Sequence, residues 1–350
     1  MTKNKIVKNI KPITAVYSFL AIILLYVAVV AVLVYGFGIH NFFVDKTTGY
    51  LPFPAAIVNK SGFVTMRDLN NDLIAVRRFY ENQNFSSVGI RVDFSTPDGQ
   101  KRLKIKEKEL LNKLIENKII EKLAIGRGIT VTDETVSQNV DREMAQYGDG
   151  SEVSKTLFNL YGWSIDDFKE KIVKPDMYKS ELEKNVKETD ESFTNAKTKI
   201  TQAQEELKNK ADFAEVAKKY SEGDSATNGG DLGWFAAGQM MPEIAVPAFL
   251  MKKGEQSDVI ESSLGFHIIQ VDDKKTEDGI DKVKIRQILV RTKSFPDWLF
   301  EQEKNMSVSI PIKDYSWNKE TAMVEFKSQE MKDFEKNLGN NSAGDISVAF

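Results

Sequence analysis

The fold is decided by two stretches of sequence, GGDLGWF at residues 229–235 and LGFHIIQV at residues 264–271. In the second stretch large apolar residues stand at both alternating sets of positions, which is typical of a strand covered on both faces. In the first stretch the glycine pair permits positive φ angles at a tight connection. The sequence therefore predicts a small sheet closed against helices by large apolar side chains, among them Leu232, Trp234, Phe249 and Ile268.

Three further blocks flank these stretches: ADFAEVAKKYS at 211–221, GQMMP at 238–242 and GEQS at 254–257. Their order and spacing resemble a parvulin-type peptidyl-prolyl isomerase domain. The resemblance implies an α+β domain with a four-stranded antiparallel sheet packed against helices, and cis–trans isomerase activity on X-Pro bonds.

The composition is compatible with that chemistry and excludes several others. The chain has 350 residues, no cysteine, two histidines and a formal net charge of -3. Prolyl isomerisation needs no nucleophile and no metal, only an apolar pocket for the ring and polar groups that help the amide cross a barrier of ~18–20 kcal/mol. We therefore expect no metal, no cofactor and, because no basic excess exists, no nucleic acid.

The resemblance also suggests site residues. Met240 would line the proline pocket, Ile244 stands where the family usually has a phenylalanine wall, and Phe249 would pack beneath. His267 corresponds to the second of the family's paired histidines, although a core histidine with satisfied nitrogens is an equal alternative. We add Leu264 and Trp234 as candidate substrate contacts.

Two departures weaken the catalytic prediction. The family's acidic or cysteine position falls on Gly223, with Asp224 one residue later as a candidate catalytic carboxylate. The usual first strand is also missing before residue 193, where residues 182–190 read LEKNVKETD, a polar run that favours helix or linker.

A candidate for the missing strand lies downstream, VKIRQILVR at 283–291, with Gln287 in place of the family's histidine. In the parvulin fold the first and last strands are antiparallel neighbours, so a short connection between them would be a natural hairpin. We predict that residues 282–292 complete the sheet in circularly permuted order, within one chain or by strand exchange in a homodimer. The alternatives are a second, truncated repeat and an unrelated edge strand.

The N-terminal region contains one long apolar run. No charged residue occurs from Ile13 to Phe37, and the lysines of residues 1–12 precede it. About 20 apolar residues cross a bilayer as a helix, and basic residues stay in the cytoplasm. We predict a single-pass signal anchor at 13–37 that contacts lipid, with a cytoplasmic tail at 1–12 and the bulk of the chain extracytoplasmic. A cleaved signal peptide and a buried core helix are the rival interpretations.

Residues 50–190 carry helical periodicity in LLNKLIENKII at 110–120, GITVTDETV at 128–136 and LYGWSIDDF at 160–168. This order resembles the helical N-terminal module of SurA/PrsA/PpiD-type chaperones, which cradle unfolded polypeptides; an unrelated helical bundle is the alternative. Here PDG at 97–99 predicts a loop before a helix at 101–126, and Pro175 predicts a helix interruption.

The sequence thus predicts a chaperone domain at 50–190, a parvulin-like domain at 193–292 and a partly helical extension at 293–350, with an amphipathic helix from Met323 to Leu338. The implied function is a membrane-anchored, extracytoplasmic foldase that acts on unfolded or proline-containing client polypeptides. The alternative is a catalytically weak or inactive peptide-binding chaperone or envelope assembly factor.

Overall fold

The computed structural model of the chain describes residues 12–39, 41–82, 93–147 and 150–341. These residues form two compact units, one within Met1–Lys179 and Glu303–Phe350 and the other within Ser180–Gln302. The predicted cytoplasmic tail lies outside the described residues apart from Pro12.

In chain order the α-helices of the described residues are α1 (Pro12–Ala31), α2 (Phe42–Tyr50), α3 (Met66–Asn82), α4 (Pro97–Gly126), α5 (Asp133–Tyr147), α6 (Gly150–Tyr161), α7 (Ile165–Phe168), α8 (Lys174–Thr189), α9 (Glu191–Lys208), α10 (Phe213–Tyr220), α11 (Pro242–Leu250), α12 (Phe295–Asn305) and α13 (Gln329–Asn341). The strands are β1 (Pro54–Val58), β2 (Gly62–Thr65), β3 (Asp231–Ala236), β4 (Ile260–Ser262), β5 (Gly265–Glu277), β6 (Ile280–Arg291), β7 (Val308–Ser309), β8 (Tyr315–Asn318) and β9 (Met323–Phe326).

The apolar run forms α1 and continues as a π-helical turn over Val32–Phe37. Within it, Val16–Phe37 has a mean hydropathy of 2.8, and this helix is long and apolar enough to cross a membrane. A core helix of a globular protein would bury most of its side chains, whereas only 11% of this one's most apolar window is buried. That exposure disfavours the buried-core interpretation.

The predicted loop at PDG is wrong, because these residues form the first turn of α4. The Thr96 hydroxyl accepts a hydrogen bond from the Gly99 amide at 3.0 Å and caps the helix. Proline suits the first helical position, since its fixed φ is helical and that position needs no amide donor.

The prediction that Pro175 interrupts the helix is also wrong, because the helix continues through this residue. Ser164 starts α7 with a capping box, and the helix then continues through a π-helical turn at Lys169–Val173 into α8. A local π-turn is one of the ways in which a helix accommodates a break in its regular hydrogen-bond ladder.

The C-terminal segment completes the first unit. β1 pairs with β2 on one side and with β7 on the other. The hairpin β8–β9 packs on α4, where Tyr315 and Phe326 share a core with Leu111 and Ile115. The amphipathic helix predicted from Met323 is therefore wrong in its first part, because residues 323–326 form a strand paired with β8. Only α13 is helical there.

The second unit is built on a four-stranded antiparallel sheet with the order β3-β6-β5-β4. β6 lies between β3 and β5 in the same chain, and Ile288 stands opposite Ile268 in the register of β5 with β6. The prediction that residues 282–292 supply the missing strand in permuted order is confirmed. A central strand that pairs on both sides is neither an unrelated edge strand nor the start of a second repeat, and the sheet is complete within one chain.

The two faces of this sheet have different partners. On one face, Ile268, Ile288 and Val290 pack against α9 and α10. On the other, Ile269, Val271 and Ile285 pack against α11. Because side chains alternate along a strand, His267 shares the second face with Ile269. We call this surface the α11 face.

Gly230 provides a test of the strand order. Its φ is +79°, and a Cβ at this position would lie 2.5 Å from the carbonyl oxygen of Gln287 on β6. The Gln287 amide donates to the Gly230 carbonyl at 2.9 Å, so the two backbones cannot separate without losing that bond. We expect Gly230→Ala to lower the free energy of unfolding of this unit by roughly 2 kcal/mol or more.

The matched control is Gly238→Ala, because Gly238 has no positive φ and no atom within 4 Å of its added Cβ. Denaturant unfolding of both variants beside the parent protein provides the measurement. Equal stability of the two variants would contradict the close approach of Gly230 to β6.

Candidate functional site

The α11 face brings together the residues of the predicted isomerase site. His267 and Ile269 are next-but-one neighbours on β5, and Ile269 stands opposite Gln287 on β6. Residues directly opposite in an antiparallel pair share a face, so Gln287 lies diagonally beside His267. Burial lowers the pKa of His267, and the Gln287 side chain partly opposes that shift. This effect also indicates that Gln287 lies close to the imidazole.

An apolar patch adjoins these polar groups. Met240, just before α11, and Phe249, near its end, are half-buried and pack against a cluster that contains Ile269. Ile244 is 3% exposed, so it lies beneath the patch rather than forming a wall of it. Met240 is only half-buried, so part of its side chain remains exposed and can contact an apolar ring.

His267 is completely buried, and its Nε2 atom lies 2.6 Å from the hydroxyl oxygen of Ser262 on β4. The same hydroxyl accepts a hydrogen bond from the Leu264 amide at 3.1 Å and donates to the Gly265 carbonyl at 3.5 Å. The Nδ1 atom has no hydrogen-bond partner among the described residues. Burial lowers the pKa of His267 below its usual value, so the imidazole is neutral at neutral pH.

Sequence reasoning missed Ser262. It lies in the three-residue strand β4 (residues 260–262), whose short polar sequence carries no strand periodicity. The available signal was its position, five residues before His267 across the tight turn of a hairpin, from which a serine hydroxyl can reach the imidazole of the following strand.

The loop after α10 is held to β6 near Gln287. The Ser221 hydroxyl accepts from the Leu289 amide at 3.1 Å, and the Glu222 amide donates to the Leu289 carbonyl at 2.6 Å. A Cβ added to Gly223 would contact the Leu289 side chain at 3.6 Å, an ordinary van der Waals distance. The position therefore has room for a side chain that this sequence does not provide.

Two further predicted residues were candidates for this patch. Asp224 is exposed in the loop after α10, and among the described residues no hydrogen bond or ion pair joins it to His267 or Gln287. Trp234 stands opposite Lys284, whose neighbours Val283 and Ile285 face α11, so the indole lies on the other face of the sheet. There the Lys275 ammonium lies 4.7 Å from its ring centroid.

Leu264 occupies the turn between β4 and β5, with its side chain 44% exposed. Its amide is bonded to Ser262 and its carbonyl to the Thr292 amide. It therefore lies at the rim of the site, on the side of His267.

The helical part of the first unit contains a second candidate site, a cavity of about 670 Å³ between α3, α4 and the α7–α8 segment. Tyr161 and Trp163 line it and stack at 4.9 Å, and Phe79 stacks on the other side of Tyr161 at 5.3 Å. The Trp163 Nε1 atom is buried without a hydrogen-bond partner among the described residues. Aromatic walls of this kind suit an apolar peptide segment.

The same cavity has an ion pair in its wall. The Lys171 ammonium is hydrogen-bonded to the Asp72 carboxylate at a short distance, and both side chains are largely buried. Burial raises the pKa of Asp72, and the pairing with Lys171 opposes that shift. The pair anchors α3 to the α7–α8 segment and so fixes the shape of the cavity.

Comparison with known families defines the class of each unit. Residues 181–273 match the PPIC-type PPIase domain, and residues 14–187 match the SurA-like N-terminal domain. The first match ends before β6, so the strand that completes the sheet lies outside it. The predicted resemblances to parvulin isomerases and to SurA-type chaperone modules are confirmed.

Individual relatives point to one family. The chain is 30% identical over 200 residues to the foldase protein PrsA of Geobacillus kaustophilus, covering 51% of this chain and 68% of that protein. It is 28% identical over 253 residues to PrsA of Staphylococcus epidermidis, covering 64% and 71% respectively. It is also 37% identical over 125 residues to the chaperone SurA of Methylobacillus flagellatus, covering 34% and 29%. The chain belongs to the PrsA foldase family.

The Ser262 hydroxyl is the hydrogen-bond partner of the buried Nε2 atom of His267. We expect Ser262→Ala to lower the free energy of unfolding of this unit by about 1–3 kcal/mol, because it leaves a buried imidazole nitrogen unsatisfied. Denaturant unfolding at neutral pH measures the loss. Ser263→Ala, at the exposed next residue, is the matched control, and an equal effect of both would contradict this role.

His267 also predicts a pH dependence. Its pKa is lowered in the folded state, so below the unfolded-state value of about 6.5 the unfolded chain binds a proton that the folded chain does not. The stabilisation is present above that pH and is lost as the pH falls. We expect thermal unfolding of the second unit to move to lower temperature on acidification.

The control is His267→Gln, which cannot titrate and should show a smaller pH dependence than the parent. Comparing the two proteins cancels the contribution of other groups, including Glu303, whose pKa burial raises to about 7. An identical pH dependence in both proteins would contradict the buried, neutral state of the imidazole.

Proposed function

We propose that this chain is an extracytoplasmic foldase that holds unfolded client polypeptides in its helical unit and isomerises X-Pro bonds on the α11 face of its second unit. One observation carries the proposal. The permuted strand β6 places Gln287 beside His267, next to a half-buried apolar patch of Met240 and Phe249. Family membership supports the same function, since its relatives are named foldases and chaperones.

The proposed mechanism needs no charged catalyst. The proline ring rests on Met240 and Phe249, which removes the ring from water and holds the amide in one place. The amide must lose its double-bond character as it twists, and neutral polar groups that bind the twisted form better than the planar one lower the barrier. Gln287 is half-buried and carries both a donor and an acceptor for this purpose.

His267 has a different role, because a completely buried ring does not touch substrate. It is a positioning residue that fixes Ser262 and the diagonal neighbour Gln287. Ile244 supports the patch from below, and Leu264 lies at the rim where the residues flanking proline would pass. We assign no catalytic role to Asp224, which has no hydrogen bond or ion pair to His267 or Gln287 among the described residues, or to Trp234, which lies on the other face of the sheet.

We also propose that residues 13–37 anchor the foldase as a single membrane span with the N-terminus in the cytoplasm. The exposed apolar surface of the helix and the lysines of the preceding tail support this orientation. The folded units then lie on the extracytoplasmic side, where unfolded secreted polypeptides are the available clients.

A second candidate function, a peptide-binding chaperone without isomerase activity, is favoured by one specific observation. Gly223 brings no side chain to the position where the family has an acidic residue or cysteine, and Asp224 does not replace it. In this alternative the α11 face retains proline-containing segments without accelerating their isomerisation.

The experiment is an isomerase assay of the full chain in detergent on a proline tetrapeptide. We expect the parent protein to accelerate isomerisation and Met240→Ala to lower kcat/KM about tenfold, because it removes apolar contact with the ring. The matched control is Met323→Ala, at an exposed methionine of the first unit, which should leave the rate unchanged.

A rate equal to that of buffer would contradict isomerase activity. Binding of the same tetrapeptide, weakened by Met240→Ala, would then support the second candidate. Neither activity nor binding would contradict both functions of the α11 face.

A further inference from the structure

The cavity between α3, α4 and the α7–α8 segment has two chemically different ends, and all of its lining residues belong to the first unit. One end lies beside the last turns of α3. There Phe79 stacks on Tyr161 at 5.3 Å. The Asn82 side chain, at the end of α3, donates to the Asn159 carbonyl at 3.1 Å. These contacts place the aromatic walls, Tyr161 and Trp163, at this end. We call the whole space the aromatic cavity.

The opposite end of the aromatic cavity lies at the start of α3. A Cβ added to Gly62, shortly before α3, would lie 3.2 Å from the Lys118 Cγ atom, so the start of α3 adjoins this part of α4. Arg67, in the first turn of α3, lines the cavity here. Val76 lines it nine residues further along α3, so the cavity extends for roughly 13 Å along that helix.

The positive charges of the lining are paired except at Arg67. Each lining lysine has a carboxylate partner at 3.7 Å or less: Lys113 with Glu116, Lys118 with Glu121, Lys171 with Asp72 and Lys174 with Glu170. Arg67 forms no hydrogen bond or ion pair through its side chain within the described ranges. Its guanidinium is therefore available to an anionic group.

Two lining carboxylates outside these pairs are bonded at helix starts. Asp68 accepts from the Thr65 hydroxyl at 2.6 Å, and Asp167 accepts from the Ser164 hydroxyl at 2.7 Å. The amino ends of helices stabilise carboxylates at such positions. Asp68 also follows Arg67 directly, and consecutive residues do not face each other on a helix. The unpaired charge of the aromatic cavity is thus the cation at the start of α3.

Two side-chain amides lie along the aromatic cavity. Asn71 lies between Arg67 and Val76 on α3, and Asn117 lies on α4. Neither side chain forms a hydrogen bond in the part of the chain that the structure describes. An asparagine amide has both a donor and an acceptor, which match the carbonyl and amide groups of a peptide backbone. These residues can therefore bind an extended segment without selecting its side chains.

We propose that the aromatic cavity selects client segments that carry an acidic side chain about four positions from a large apolar one. The apolar side chain packs on Tyr161 and Trp163, and the acidic side chain pairs with Arg67. Positions i and i+4 of an extended chain lie ~13 Å apart on the same face, which matches the length of the cavity. This inference rests on the proposed holding of clients by the helical unit, and it deepens that function by naming the class of segment held.

The test measures binding of proline-free peptides to the full chain in detergent by isothermal titration calorimetry. The probe is the acetylated and amidated pentapeptide Phe-Ser-Gly-Ser-Asp, and its reversed sequence covers the second chain direction. The absence of proline keeps the α11 face out of the measurement. We expect the better-binding peptide to lose affinity about threefold when Asn replaces its Asp, because an exposed ion pair contributes modestly. Moving the Asp next to the Phe should cause the same loss.

Arg67→Gln should weaken binding of the Asp peptide about threefold and leave the affinity of the Asn peptide unchanged. Added salt should likewise weaken only the Asp peptide. The matched control is Arg77→Gln, which removes a guanidinium from the same helix outside the cavity lining and should change neither affinity. Both arginines are exposed, so neither replacement removes buried packing.

Equal affinities of the Asp and Asn peptides would overturn the proposed selection, as would equal effects of the two arginine variants. Failure of client holding itself has a different signature, in which neither peptide binds and the protein does not suppress aggregation of an unfolded client. A protein that suppresses aggregation but binds neither peptide would show that clients are held elsewhere and would contradict the inference about the aromatic cavity alone.

Discussion

The isomerase-like unit depends on one constraint, the need to pair the backbone donors and acceptors in the middle of its sheet. β5 and β3 both present hydrogen-bonding edges to the slot between them, and a buried, unpaired backbone group costs about as much as a lost hydrogen bond. β6 fills that slot from the same chain and pairs on both sides. Its connection to β5 is a tight turn at Asp278-Gly279, where both residues have positive φ.

The arrangement of the candidate site depends on β6. Without β6, the α11 face would lack Gln287, the Ile285 side chain beneath the apolar patch, and the anchor for the loop at Ser221. Gly230 meets the backbone of β6 so closely that only glycine fits. β6 therefore contributes to the site although it follows β5 in the chain. The cavity between α3, α4 and the α7–α8 segment is lined by residues of the other unit.

Much of this could be predicted from the sequence. Alternation at residues 283–291 and the short polar turn before them sufficed to predict β6, and the block order sufficed to predict the isomerase-like unit. What could not be predicted depends on tertiary contacts. Met323–Phe326 fits a helical pattern, yet it pairs with β8 because Phe326 fills the core beside Tyr315. The short sequence around Ser262 has no strand periodicity, so it could not predict β4 or the contact with His267. The face on which Trp234 lies depends on the register of β3 with β6, which composition does not specify.

Native-state amide hydrogen exchange of β6 tests the central claim most directly. The account predicts that the amides of Ile288 and Val290 are as strongly protected as those of β5, and that their protection does not change with protein concentration, since the strand belongs to the same chain. Exchange of these amides at the rate of exposed loops would contradict the permuted sheet. Protection that appears only at high protein concentration would show that the central strand comes from a second chain.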